Sequence, residues 1–89
     1  MMMSSPSVLV VDDVEAIREM LCAVLSKDGL SVMLAADGAE AVACFSEQRP
    51  VVVLMDIRMP RMSGLQALTE IRKLDRSAAV ILMTAFAEV

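Results

Sequence analysis

The stretch VVVLMDIRMPRMSG, residues 51–64, decides how this chain folds: an unbroken apolar run, Val51 to Met55, ends on an acid, Asp56, and a proline-bearing loop follows. A short continuous run rich in β-branched residues reads as a strand buried on both faces, the pattern of parallel sheets. Pro50 breaks the chain just before it, and Pro60 disfavours helix just after it. The segment is therefore a central strand whose carboxyl end presents a carboxylate.

Working outward, the same alternation repeats. Val8 to Val11 is a second apolar run ending on acids, Asp12 and Asp13. From Val14 to Lys27, Ile17, Met20, Leu21, Val24 and Leu25 recur at helical spacing, and Gly29 lies just beyond as a stop. Leu30 to Leu34 reads as a short strand. Asp37-Gly-Ala-Glu40 has the form of a capping box opening a helix to about Glu47, with Ala41, Val42 and Phe45 on its inner face. A second box, Ser63-Gly-Leu-Gln66, opens a helix to about Lys73, with Leu65, Leu68 and Ile71 expected to face inward. Ala79 to Met83 is a fourth strand, followed by Thr84.

Short strands alternating with longer helices imply βα crossovers and a parallel sheet with helices on both faces. Right-handed crossovers bring every strand's carboxyl end to one edge, where ligands bind in sheets of this type. The residues just after each strand are thus the ones to inspect for function.

The chain has 89 residues, 57% of them hydrophobic and 22% charged, so it makes one small globular domain. At this size a domain buries roughly 60% of the surface its unfolded chain exposes. No apolar run exceeds six residues, far short of the ~20 needed to cross a bilayer. The first residues carry no positive region of a secretion signal, and a cytoplasmic location is expected. The net charge of −4, with basic residues scattered between Arg18 and Arg76, argues against direct nucleic-acid binding. His, Trp and Tyr are absent, which removes histidine-based nucleophilic catalysis, histidine metal sites and most base stacking. Cys22 and Cys44 lack metal-like spacing and read as packed, reduced thiols. Met33, Met55, Met62 and Met83 read as adaptable core or loop filler.

Carboxylate chemistry remains. Asp12, Asp13, Asp56 and Thr84 terminate strands that are otherwise apolar, and they should converge. Carboxylates this close repel by about 2 to 4 kcal/mol at an effective dielectric near 20, so the cluster calls for a cation or a shared proton. Mg²⁺, which takes one or two carboxylates plus water and phosphate oxygens, suits the inventory. Taken singly, Asp12 and Asp13 could cap the first helix, Asp56 could be a turn residue and Thr84 could merely finish a strand. A helix needs one cap, however, and capping explains neither the second acid nor the acid on another strand.

Together, VLVVDD, VVVLMDIRMPRMSG and VILMTAFA resemble the receiver domain of the response regulators of two-component signalling, and the resemblance runs over essentially the whole chain. It implies a flavodoxin-like, doubly wound α/β fold with strand order 2-1-3-4-5. It also implies that Asp56 accepts a phosphoryl group from a sensor histidine kinase or a phosphotransfer protein, and that Mg²⁺ is held by Asp13, Asp56 and the backbone carbonyl of Arg58, with Asp12 helping through water. Thr84 matches the hydroxyl that follows the phosphate, and Ala85 the small residue that leaves access to it. Arg58 and Phe86 match the positions that tune hydrolysis. Pro60 and Gly64 match the turn after the phosphorylation site. Such a domain assists its own phosphoryl transfer without being a turnover enzyme, and the loop sequence most resembles regulators of transcription.

Residues 1–89 correspond to the N-terminal portion of a receiver: four strands and about three helices. The family's fifth strand, its terminal lysine and its last helix have no counterpart, since Lys27 and Lys73 lie in or at the ends of helices. The last strand's bare, apolar edge is then expected to support self-association. Two other readings compete. A haloacid-dehalogenase-type phosphatase needs a second Asp two residues after the nucleophile, where this chain has Arg58. An interaction module could keep the receiver fold without using phosphorylation.

Overall fold

The computed structural model describes residues 6–84. In chain order the elements are β1 (Ser7–Val11), α1 (Glu15–Lys27), β2 (Ser31–Ala35), α2 (Gly38–Gln48), β3 (Val52–Asp56), α3 (Gly64–Leu74) and β4 (Ala79–Met83). The strands form one parallel sheet in the order β2-β1-β3-β4. This is the parallel α/β sheet the alternation implied, in the flavodoxin-like strand order the resemblance implied. The order places the two acid-terminated strands, β1 and β3, side by side at the centre, with β2 and β4 at the edges. No helix among the described residues is long and apolar enough to cross a membrane.

Strand register decides which residues share a face. Leu9 and Val11 on β1 align with Val53 and Met55 on β3, and Val80 and Leu82 on β4 continue the row. These side chains lie under α2 and α3, where Phe45, Ala41, Ala67 and Ile71 close over them to form the core. Val8 and Val10, also buried, point to the opposite face, where α1 packs against β1 and β2.

The helix ends follow local chemistry. At α3 both halves of the Ser63–Gln66 capping box form. At α2 only the Asp37 half does, its Oδ1 accepting the Glu40 N–H at 2.9 Å. The N-cap of α1 is Val14, which has no capping side chain. The capping role open to Asp12 and Asp13 is therefore not used. Gly29, with φ of +83°, supplies the left-handed turn that ends the α1 excursion.

Three expectations need correction. Leu65 is 54% exposed rather than inward-facing. The buried stripe of α3 is Gly64, Ala67 and Ile71, because Gly64 abuts the end of β3 so closely that a Cβ there would collide with the Asp56 carbonyl oxygen. This contact sets the rotation of the helix and turns Leu65 away. In α1, Met20 and Val24 are more than half exposed, while Ile17, Leu21 and Leu25 are only partly buried. The helix covers two strands rather than a closed core. Finally, the second and third strands each start and end one residue later than their apolar runs suggested, so Asp56 is itself a sheet residue, aligned with Met83.

Candidate metal and phosphoryl site

The last apolar residue of β1, Val11, hands on to Asp12, whose backbone is still tied to the sheet: its N–H donates to the Ala35 carbonyl of β2 at 3.2 Å. Its side chain turns back, Oδ1 accepting the Val14 N–H at 2.9 Å. Its carbonyl accepts from Nη1 of Arg18 at 2.7 Å. Asp12 is consequently buried, while its neighbour Asp13 is exposed. Two strands away in sequence but adjacent in the sheet, Asp56 ends β3. It too is buried, and its Oδ1 accepts the Arg58 N–H at 3.2 Å.

The loop beyond Asp56 is fixed on both sides. Ile57 donates to the Met83 carbonyl of β4 at 2.9 Å, and Gly64 donates to the Ile57 carbonyl at 2.9 Å. The close seat of Gly64 under Asp56 requires the absence of a side chain. The far side of the loop rests on α2, where Met62 lies against Gly38.

These constraints bring one carboxylate oxygen from each of Asp12, Asp13 and Asp56 within 4.8 Å of one another. The electrostatic consequence shows at Asp12. Burial raises its carboxyl above the ordinary aspartate range. The Val14 amide opposes this, the charges of Asp56 and Asp13 raise it further, and Arg18 offsets part of the rise. A hard divalent cation would supply the missing positive charge, and an all-oxygen set of two buried acids and one exposed acid fits Mg²⁺, which keeps several waters.

Thr84 follows β4 directly. With Asp12, Asp56, Ile17, Met20, Leu21 and Met83 it lines a cavity of about 180 Å³ beside the acids. Arg58 is exposed on the loop after Asp56. Of the residues singled out from the sequence, the structure thus gathers Asp12, Asp13, Asp56 and Thr84 at one edge and puts Arg58 beside them. Ala85 and Phe86 lie outside the described residues.

Sequence reasoning missed Arg18 and the Gly38–Met62 contact. An arginine five residues after a paired acid, on the helix that follows it, was a usable signal for the first. Nothing in the sequence signals the second, which joins segments distant along the chain.

A family described as the response regulator receiver domain matches residues 8–89. The regulatory protein AtoC of Escherichia coli is 45% identical over 92% of this chain, which spans only 18% of that protein's length. The chemotaxis protein CheY of Bacillus subtilis is 40% identical over 91% of this chain and 68% of its own length. Among solved structures, the response regulator TrrA of Thermotoga maritima in complex with Mg²⁺-BeF superposes with a TM-score of 0.87 at 40% identity, covering 92% of this chain and 71% of that one. The same regulator has also been solved in complex with the histidine kinase ThkA.

Proposed function

The chain belongs to the response regulator receiver domains, signalling modules of two-component systems, and from that premise we propose that Asp56 is its phosphoacceptor. The observation that carries the reading is the convergence of Asp12, Asp13 and Asp56 at the carboxyl edge of the sheet. In the transfer, an Oδ of Asp56 forms a bond to phosphorus. The P–N bond of a phosphohistidine on a sensor kinase or phosphotransfer protein breaks, and its electron pair stays with the imidazole nitrogen. TrrA in complex with a histidine kinase supports a partner of this class.

Each residue of the site has a part in this reading. Asp13, Asp56 and the Arg58 carbonyl would hold Mg²⁺ directly, and Asp12 would act through water. When bound, the ion supplies charge neutralisation for the incoming phosphoryl oxygens. The remaining work belongs to the protein. The sheet holds Asp56 in line with its donor, burial keeps competing water from its flank, and the hydroxyl of Thr84, beside the same cavity, follows the new charge. Ala85 leaves the approach open. Arg58 and Phe86 set how readily water attacks the phosphate.

Exposure to acetyl phosphate with Mg²⁺ tests the proposal. The chain is expected to gain one phosphoryl group, labile to hydroxylamine, and Asp56→Asn to gain none. Followed after removal of the donor, the phosphate is expected to decay faster in Phe86→Ala. No phosphate gain by the unmodified chain would leave a protein-interaction module that does not use phosphorylation.

A further inference from the structure

Arg18 sits early in α1 and donates through Nη1 to the main-chain oxygen of Asp12 at 2.7 Å. A charged donor makes this bond roughly twice as strong as a neutral one. The acceptor is not an arbitrary carbonyl, because it belongs to the peptide that joins Asp12 to Asp13. That peptide is planar and stiff. Its N-terminal side is already held, since the Asp12 N–H is bonded to Ala35 of β2 and the Asp12 carboxylate to the Val14 N–H. With the oxygen pinned as well, the direction in which the backbone enters Asp13 is set. Asp13 itself is exposed, and it lacks the burial that orients Asp12 and Asp56.

We propose that Arg18 is a positioning residue for Asp13: by holding the Asp12–Asp13 peptide, its guanidinium keeps the exposed carboxylate within reach of the other two acids, in the geometry a divalent cation needs. The inference rests on the Mg²⁺ reading above and deepens it. Arginine suits the task because its planar fork is a directional donor, whereas lysine offers a flexible point charge.

Arg18 has two effects on the site, and they have opposite signs. As a positive charge near a cation site it weakens Mg²⁺ binding, so simple removal of the charge would tighten affinity. As a clamp on the ligand backbone it strengthens binding, so removal would loosen it. The sign of the change therefore separates the two roles.

The test is a Mg²⁺ titration of the full 89-residue chain, followed by the Asp13 amide in NMR spectra, with the melting temperature recorded separately without Mg²⁺. Arg18→Met is expected to weaken Mg²⁺ affinity about tenfold, the worth of one charge-assisted hydrogen bond. Arg18→Lys, which keeps the charge and loses the fork, is expected to fall between Arg18→Met and the unmodified chain. A residue that merely stabilised the fold would lower the metal-free melting temperature and leave the affinity of the folded protein unchanged. Unchanged or tighter binding in Arg18→Met overturns the proposal while leaving the metal reading intact. If Arg18→Met does not fold, Arg18→Lys decides: weaker binding supports the clamp, and binding equal to the unmodified chain overturns it. A folded, unmodified chain that binds no Mg²⁺ overturns the metal reading, and the inference with it.

Discussion

Under α2 and α3, Leu9, Val11, Val53 and Met55 are wholly removed from solvent, whereas on the opposite face Leu54 is only half-buried and Ile81 keeps 55% of its surface exposed. β3 supplies both rows and the side chains are equally apolar, and on the second face it is only under α1 that β1 keeps Val8 and Val10 buried. What differs is the cover. Two helices close over the first face, and their own Phe45 and Ile71 complete its core. The second face has α1, which packs on β1 and β2 and contains no buried residue. Hydrophobic sequence therefore does not by itself predict where stability resides, because an apolar residue contributes only to the extent that something excludes water from it.

The largest expected effect tests that contrast directly. Phe45→Ala empties the centre of the well-covered face and is expected to cost about 3 to 5 kcal/mol, a large share of a small domain's total. Val24→Ala, on the exposed part of α1, is expected to change stability by no more than about 0.5 kcal/mol. Denaturant midpoints for the two variants compare the faces. Equal losses would mean that α1 is covered in solution by something that excludes water from it.

The contrast also marks where the sequence was legible. Continuous apolar runs and period-3.6 patterns are local, and so the strands, the helices, the parallel class and the acids at the ends of β1 and β3 could all be read directly. The full capping box at Ser63 was legible for the same reason. The rotation of α3 was not, because it depends on Gly64 meeting the Asp56 backbone across the β3–α3 loop. Leu65, Met20 and Val24 satisfied helical periodicity, yet periodicity cannot say how wide the covered stripe will be. Asp12 had the chemistry of a cap, and its side chain does bond the Val14 N–H, but the helix begins one residue later.

An intermediate effect concerns the site, which belongs to the weakly covered face. Asp12 and Asp56 continue the β1 and β3 rows that contain Val10 and Leu54, on the α1 side. Binding confined to the native state stabilises by RT ln(1 + [Mg²⁺]/Kd), about 1.4 kcal/mol at tenfold excess over Kd. Amide exchange is expected to slow more in α1 than in the already protected α2, since local openings have the most to gain where cover is thinnest. Asp13→Asn is expected to shrink the shift in melting temperature, and a melting temperature indifferent to millimolar Mg²⁺ in the unmodified chain would remove the metal site.

The smallest effect contrasts two aspartates in Mg²⁺-free solution, Asp12 buried in the site and Asp75 outside it. Burial chiefly, with the Asp56 and Asp13 charges adding, raises the Asp12 carboxyl above its ordinary 3.8 despite the opposing Val14 amide. Asp75, partly exposed after α3, is lowered from the same value, first by the Ser77 N–H and then by the Ser77 hydroxyl, which donate to its Oδ1 at 3.0 and 2.8 Å. The raised group binds more protons in the native state than in the unfolded one. Its contribution is therefore complete below 3.8 and is lost as pH rises through its higher native value. The lowered group behaves in the opposite sense, its contribution being complete above 3.8 and lost as pH falls through its lower native value. Asp12→Asn keeps an acceptor for the Val14 amide and removes the charge, so this variant is expected to gain on the unmodified chain as pH rises from 3.8 upward. Asp75→Asn is expected to lag behind it above 3.8 and to draw level as the solution is acidified. Chemical denaturation across that range, in the presence of a chelator, reads both slopes. Parallel slopes would show that the acids at the sheet edge are solvated like those on the open surface, and the case for a cation there would lose its electrostatic ground.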